Sequence, residues 1–273
     1  MASPSWLACL CLVAVVLLVS PVASPSRGLA AAADPTKGFR AVSLSESNFV
    51  LQKPYDTPSN ARFRFAGGVR QLWVLSSDKP YSPQSNTKPR TEIRMTGYDY
   101  SSGVWQFEGY GYVPSGTTGV SIMQVFGGSG SATTLMLHVY DGSLRYYSQK
   151  VVEDNIYDRW FRLNVVHDVD KSRLTVFVDG VEKLRVAGRG GDSHYFKFGV
   201  YTQHDSSSCM ESRWKNVRIL REINIESMVH FLFPLPGFMT TYHHCTREKY
   251  ICMSIVWWSS LYVLGVGIPV LLI

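Results

Sequence analysis

The chain has 273 residues and a formal net charge of +6, from 27 Lys and Arg against 21 Asp and Glu. This length suits one large β domain or two smaller domains. The basic residues are scattered and no nucleic-acid-binding motif accompanies them, so we expect neither DNA nor RNA as a partner.

The N-terminal end predicts a secretory signal peptide. An apolar run over residues 6–19 is followed by Pro21 and small residues, which is the layout of an h-region and a cleavage zone. The run is shorter than the roughly 18 to 20 apolar residues that a transmembrane helix requires. We therefore predict a signal peptide over residues 1–24, with an alternative cleavage site as late as residue 33.

Residues 34–222 have the pattern of one all-β domain. Short alternating segments are separated by Gly, Pro, Asp and Ser clusters, and no window has a helical period of useful length. The clearest hairpin has alternating residues at 174–178, followed by Asp179 and Gly180, a preferred type I′ turn pair. Many strands without βαβ spacing predict a two-sheet jelly-roll sandwich of the concanavalin A-like kind.

Residues 88–94, KPRTEIR, form the first informative polar strand. Side chains two apart share a face of a strand, so Arg90, Glu92 and Arg94 should project together. One interpretation is an exposed surface with weak cross-strand ion pairs. The other is a carboxylate clamp, in which Glu92 positions one guanidinium while the other binds a ligand through two hydrogen bonds.

The second polar position lies in residues 120–126, VSIMQVF. Gln124 interrupts an otherwise apolar strand, and strict alternation places it on the same face as Ile122 and Phe126. A buried Gln needs hydrogen-bond partners, which a ligand carboxylate or a neighbouring Arg would supply.

The third strand is HYFKFGVYTQ, residues 194–203, in which polar and core-type residues alternate. One face carries Tyr195, Lys197, Gly199, Tyr201 and Gln203. The glycine within this set suggests that a ligand approaches the backbone there. A plain solvent-facing strand is the alternative.

The C-terminal end contains a second long apolar stretch. Residues 250–273 are uncharged and long enough to cross ~30 Å of hydrocarbon. Arg247 and Lys249 precede this stretch, and the positive-inside rule then places the domain in the cytosol, against the signal peptide. Residues 223–249 are interpreted as a linker, and residues 250–273 either as a transmembrane helix or as an artefact of gene annotation.

Three segments together carry a family resemblance. RTEIR, SIMQVF and YFKFGVYTQ, in this order, resemble the signature strands of the alginate-lyase jelly roll, R-[ST]-E-[LIV]-R, Q-[IV]-H and Y-F-K-x-G-x-Y-x-Q. Longer stretches, including GYDYSSGVWQFEGYGYVPSG, resemble the plant citrate-binding proteins of that superfamily. The resemblance covers nearly all of residues 34–222 and implies that the three strands form one groove.

The lyases that this chain resembles cleave polyuronates by β-elimination. The resemblance implies that Arg90 or Arg94, with Gln124, neutralises the sugar carboxylate. Tyr201 matches the catalytic tyrosine, an acid or base, while Lys197 and Gln203 match flanking binding positions.

Phe126 occupies the place of the histidine in Q-[IV]-H, and a phenyl ring cannot transfer a proton. His138 and His194 are the histidines that could approach from elsewhere, although an ordinary structural role is the simpler explanation for each.

The favoured function is therefore a carboxylate-binding module for citrate or an acidic glycan. The predicted ligand-binding residues are Arg90, Glu92, Arg94, Gln124, Tyr195, Lys197, Tyr201 and Gln203. The alternative is a polyuronate lyase with Tyr201, Gln124 and Arg94 as catalytic residues. We predict no metal and no cofactor, and a location in the secretory pathway, in the cell wall, extracellular space or vacuole, with membrane attachment only through residues 250–273.

Overall fold

The computed structural model describes residues 34–223 and the backbone of two further short strands. In chain order the strands are β1 (Phe39–Ala41), β2 (Phe49–Gln52), β3 (Phe63–Ala66), β4 (Val69–Leu75), β5 (Arg90–Met95), β6 (Val104–Tyr112), β7 (Val120–Gly128), β8 (Ser131–Tyr140), β9 (Ser143–Tyr146), β10 (Lys150–Glu153), β11 (Trp160–Asp168), β12 (Arg173–Val178), β13 (Val181–Ala187), β14 (Tyr195–Thr202), β15 (Cys209–Glu222), β16 (Thr240–Tyr242) and β17 (Met253–Ile255). Single turns of 3₁₀ helix lie at Glu46–Asn48 and Ser59–Ala61.

Two antiparallel sheets form the domain. The first has the spatial order β13-β12-β11-β6-β15-β4-β3, with β1 paired to β15, and the second has the order β10-β9-β8-β7-β14-β5-β2. Apolar residues from both sheets form the core between them, among them Phe107, Phe161 and Trp214 from the first sheet and Ile93 and Phe198 from the second. The prediction of an all-β two-sheet sandwich is confirmed.

Alternation along β14 shows how the sequence divides core from surface. Phe196, Phe198 and Val200 are buried in the core, and each such side chain stabilises the fold by about 1.5 to 3 kcal/mol. The intervening residues, including Lys197 and Tyr201, project from the opposite side of the sheet, because successive side chains alternate. We call that opposite side of the second sheet the polar face.

The predicted hairpin is present between β12 and β13. Val178 pairs with Val181, so the loop consists of Asp179 and Gly180. Their φ angles are 51° and 81°, both positive as a type I′ turn requires. The turn residues therefore set the register of this edge of the first sheet.

Gly199 has a different role from the one its sequence position suggested. Its φ is +138°, and the pairing of β14 with β7 shifts between Phe198 and Tyr201. A Cβ at residue 199 would lie 2.6 Å from the Glu92 Cα and from the Thr91 carbonyl oxygen. The backbone of β5, rather than a ligand, occupies the space beside this glycine, so that interpretation was wrong.

The predicted signal peptide and most of the predicted C-terminal segments lie outside the described residues. In the C-terminal segments the structure describes β16 and β17, which form an antiparallel pair. Thr240 pairs with Ile255, and Tyr242 pairs with Met253. No helix in the described part of the chain is both long and apolar enough to span a membrane.

Candidate functional site

The three signature segments become neighbouring strands in the second sheet, with β14 between β5 and β7. Lys197 pairs with Arg94 on one side and with Gln124 on the other. Gly199 pairs with Glu92, and Tyr201 with Arg90. Side chains that are distant in sequence are thereby brought together on the polar face.

Glu92 is the centre of a buried polar cluster. Its Oε1 accepts a hydrogen bond from Arg90 Nη1 at 2.8 Å and another from Lys197 Nζ, while Oε2 accepts one from Gln124 Nε2 at 2.5 Å. All four side chains are buried, and Glu92 itself is only 2% exposed. The carboxylate therefore fixes two cations and one amide in a single arrangement.

Burial is costly for the cations of this cluster. Desolvation lowers the pKa of Lys197, although the neighbouring Glu92 carboxylate opposes that effect. Buried ion pairs offset their desolvation only when their hydrogen bonds are well formed. Arg90 and Lys197 carry two positive charges against the single negative charge of Glu92, so the cluster has a net positive charge. An anionic ligand would compensate this charge.

Arg90 lies close to two phenol rings. Its guanidinium carbon is 3.9 Å from the Tyr201 ring centroid and 5.2 Å from that of Tyr81. Arg90 Nε is buried and has no hydrogen-bond partner among the described residues. This guanidinium is held in place by Glu92 and stacking, and it retains an unused donor.

Arg94 belongs to a separate and more exposed cluster. Its Nη2 donates to Asp99 Oδ2 at 2.5 Å, and its guanidinium carbon lies 3.9 Å from the centre of the Tyr195 ring. Tyr195 also stacks on Phe126, with ring centroids 4.7 Å apart and an interplanar angle of 15°. Glu92 thus holds Arg90, while Arg94 is paired with a different carboxylate.

Two predicted positions differ from simple alternation. Gln203 donates from its amide nitrogen to the carbonyl oxygens of residues 201 and 202, at 3.1 and 2.9 Å, and is not among the hydrogen-bond donors to Glu92. Ile122 belongs to the core instead of sharing a face with Gln124, because a register shift lies between Ser121 and Met123. A single irregular residue changes the face of its neighbours.

His138 is a polar-face residue that the motif comparison did not include. It is 5% exposed, and neither ring nitrogen has a hydrogen-bond partner within the described chain. Burial lowers its pKa from 6.5 to about 4. The sequence could have predicted the face of His138, because this residue lies between the apolar residues Leu137 and Val139 on β8.

His194 lies on the other side of the sheet. It is 1% exposed, and its ring centroid is 4.6 Å from that of His167. Its Nδ1 is 3.3 Å from the Phe126 carbonyl oxygen. This histidine does not reach the polar face, and its surroundings agree with the structural role that was the simpler explanation from the sequence. Within residues 34–223, no group of three or more His, Cys, Asp or Glu residues is placed to hold a metal ion.

Comparison with known proteins identifies the family. Residues 42–221 match the family model Alginate_lyase2, described as alginate lyase. The chain belongs to this family. A citrate-binding protein of Hevea brasiliensis is 54% identical over 193 residues, which cover 70% of this chain and 81% of that protein.

Solved structures of the alginate lyase family share the fold. The alginate lyase AlgAT5 of polysaccharide lyase family 7 has a TM-score of 0.51 at 17% identity, covering 63% of this chain and 93% of that one. A variant of the family 7 alginate lyase A1-II′ with bound substrate has a TM-score of 0.53 at 14% identity, covering 65% and 94%. At these identities the likeness shows the jelly-roll fold alone.

Proposed function

We propose that the polar face binds a ligand that carries carboxylate groups, either citrate or an acidic glycan. The observation that supports this most directly is the Glu92 cluster, which orients Arg90 and leaves its Nε without a partner. Around it, the three cations Arg90, Arg94 and Lys197 form ion pairs with two carboxylates among the described residues, those of Glu92 and Asp99. A guanidinium fixed in this way is a strong and directional donor to a carboxylate.

The remaining predicted residues have supporting roles in this proposal. Tyr201 and Tyr195 flank the two guanidinium groups, so a ligand would contact their rings or hydroxyls. Arg94 contributes only if the ligand competes with Asp99 for its guanidinium. The Hevea relative is named for citrate binding, which agrees with this chemistry. A location in the secretory pathway stays a prediction from the sequence.

Calorimetric titration with citrate and with short uronic-acid oligomers tests the proposal. Arg90→Ala and Arg90→Lys should each weaken binding more than tenfold, because a carboxylate loses the oriented guanidinium fork. Arg90→Lys keeps a positive charge beside Glu92, and circular dichroism checks that both variants fold. Arg64→Ala, at an exposed position on β3 of the other sheet, is the matched control. Unchanged affinity in both Arg90 variants would overturn the proposal.

A polyuronate lyase is the second candidate, and Tyr201 is the observation that favours it. Its ring is only half-buried and lies against the Arg90 guanidinium, so a proton-transfer group stands beside a carboxylate binder. The residue at the position of the motif histidine, Phe126, cannot transfer protons, and a positioned base contributes about 10²- to 10⁴-fold in rate.

An absorbance assay for unsaturated uronyl ends distinguishes the two functions. We expect no new ultraviolet absorbance when the protein is incubated with alginate, glucuronan or pectate. Product formation that disappears in Tyr201→Phe would establish a lyase and replace the binding proposal.

A further inference from the structure

A cluster of polar side chains lies in the apolar core between the two sheets. His167 comes from β11 of the first sheet, and His194 directly precedes β14 of the second. Their ring centroids are 4.6 Å apart with an interplanar angle of 85°, and His167 Nδ1 is 3.1 Å from the Tyr100 hydroxyl. All three side chains are buried. We call Tyr100, His167 and His194 the histidine cluster.

The contacts of this cluster suit neutral imidazoles. A carbonyl oxygen only accepts hydrogen bonds, so His194 Nδ1, which lies 3.3 Å from the Phe126 carbonyl oxygen, carries the ring hydrogen. The Tyr100 hydroxyl can donate to His167 Nδ1. No histidine of the described residues forms an ion pair with a carboxylate. An added proton on either ring would therefore be a buried charge without a counter-charge.

The charged groups near His167 give an added proton little support. Asp168 follows it in β11, but the Asp168 carboxylate already binds Lys171 and Arg173 at 3.3 and 3.2 Å. Burial and, to a smaller extent, the charge of His194 lower the pKa of His167 from 6.5 to about 4, and Asp168 opposes this only in part. Two protonated rings 4.6 Å apart would also repel each other.

The surroundings of His194 are similar. Burial lowers its pKa, although backbone hydrogen bonds and the Asp192 carboxylate oppose this. On β15, the Arg221 guanidinium carbon is 5.3 Å from the ring centroid of Trp105, whose ring stacks on that of Tyr100. A cation in this position cannot balance a further positive charge. Both histidines are therefore neutral in the closed fold at neutral pH.

Residues 188–194, which we call the crossover segment, connect β13 of the first sheet to β14 of the second. The segment is attached through isolated hydrogen bonds, such as that from the Ser129 amide to the Arg189 carbonyl oxygen at 2.8 Å. His194 and Tyr100 exchange two more backbone hydrogen bonds, at 2.7 and 2.9 Å. By contrast, β11 is paired with β6 on one side and β12 on the other. The crossover segment is therefore the weaker of the two elements that carry the histidines.

We propose that the histidine cluster is an acid-sensitive latch that holds the crossover segment against the first sheet, and that protonation in mildly acidic solution releases the segment while both sheets stay folded. Release transfers His194 to water, where an imidazolium is hydrated and no longer lies beside His167. The proton thus shifts the equilibrium between a closed and an open segment, because the open form binds it more tightly.

Release of the crossover segment would also change the polar face. Tyr195 directly follows His194, its ring stacks on Phe126, and the Arg94 guanidinium carbon is 3.9 Å from the centre of the Tyr195 ring. An open segment would move this ring away from Arg94. The effect on ligand binding rests on the proposed function, whereas the release itself does not.

Hydrogen–deuterium exchange at pH 7 and pH 5, corrected for the intrinsic exchange rate, tests the latch without any ligand. The amides of Ser129 and His194 report release, because they donate to the Arg189 and Tyr100 carbonyl oxygens. Their opening equilibrium should rise at least about fivefold at pH 5. The amides of residues 163–166 in β11 report the sheets, and at pH 5 they should stay at least about tenfold better protected than the two reporters of release.

Histidine variants assign the response to the cluster. The double variant His167→Gln/His194→Gln should abolish the rise in opening, and His194→Gln alone should reduce it at least about twofold, because one titrating group is removed. Circular dichroism checks that each variant folds, and the single variant suffices if the double variant does not. His138→Gln is the matched control, since it replaces a buried histidine of the polar face and should keep the full response.

Three results would overturn the latch. The first is equal opening of the segment at pH 7 and pH 5 in the wild-type protein, which needs no variant. The second is an equal loss of protection in β11, which would mean global unfolding. The third is a full acid response in His194→Gln, which would assign the response to another group. The binding proposal would stand in each case, because calorimetry tests it separately.

Discussion

Glu92 is the residue that connects the buried polar side chains of the polar face. Its two oxygens accept hydrogen bonds from Arg90, Lys197 and Gln124, and all of these side chains are buried. Breaking a buried ion pair leaves an uncompensated charge, which costs more than the pair gained when it formed. The cluster therefore both holds the Arg90 guanidinium in one orientation and stabilises the fold.

Glu92→Gln should lower the free energy of unfolding by about 3 kcal/mol, because Arg90 and Lys197 stay buried without their counter-charge. Urea denaturation measures this loss. Asp99→Asn is the matched control, since it removes the partner of the more exposed Arg94 and should cost less than about 1 kcal/mol. Equal effects of the two substitutions would contradict the central role of Glu92.

Strands β5 and β14 approach each other closely because residue 199 has no side chain. The positive φ of Gly199 and its contact with Glu92 and Thr91 bring the two strands that carry Arg90 and Tyr201 into register. An L-residue at this position meets two penalties, a left-handed backbone and a steric clash.

Gly199→Ala should destabilise the domain by more than about 3 kcal/mol, as expected for a large backbone and packing defect. Gly116→Ala separates the two penalties, because Gly116 also has a positive φ, of +85°, but a Cβ there would have nothing within 4 Å of it. That control should cost about 1 to 2 kcal/mol through backbone strain alone. Thermal or urea unfolding of both variants provides the comparison, and similar losses would contradict the close approach of β5.

Buried neutral histidines make the stability of the whole domain depend on pH. Burial lowers the pKa of His138 and of His167 from 6.5 to about 4. In the unfolded chain these groups take up a proton near pH 6.5, whereas the folded domain does so only near pH 4. The unfolded state therefore binds more protons in this window, and stability falls as the pH decreases through it.

Between pH 7 and pH 5 each of these histidines should reduce the free energy of unfolding by about 2 kcal/mol, since one pKa unit corresponds to about 1.36 kcal/mol. Urea denaturation across this range measures the slope. His138→Gln should remove about half of the combined contribution of these two histidines, because His167 keeps its own. A free energy of unfolding that is constant from pH 7 to pH 5 would contradict the burial of neutral imidazoles.

The all-β class, the alternation of several strands and the family all follow from the sequence alone. Period-two alternation placed Phe196 and Phe198 in the core and Lys197 on the opposite side, and Asp179-Gly180 specified its turn, because both signals depend only on neighbours along the chain. The ordered motifs of residues 90–94, 121–126 and 195–203 likewise sufficed to identify the alginate lyase family.

Which of these side chains come into contact depends on the tertiary structure. Glu92 binds Arg90 rather than Arg94, Ile122 turns into the core, Gly199 faces β5, and His138 extends the polar face. Each outcome depends on strand order or on a register shift, which couple residues that are far apart in sequence. The alternation of residues along one strand does not specify which strands will be its neighbours in the sheet. These contacts therefore cannot be predicted from local periodicity.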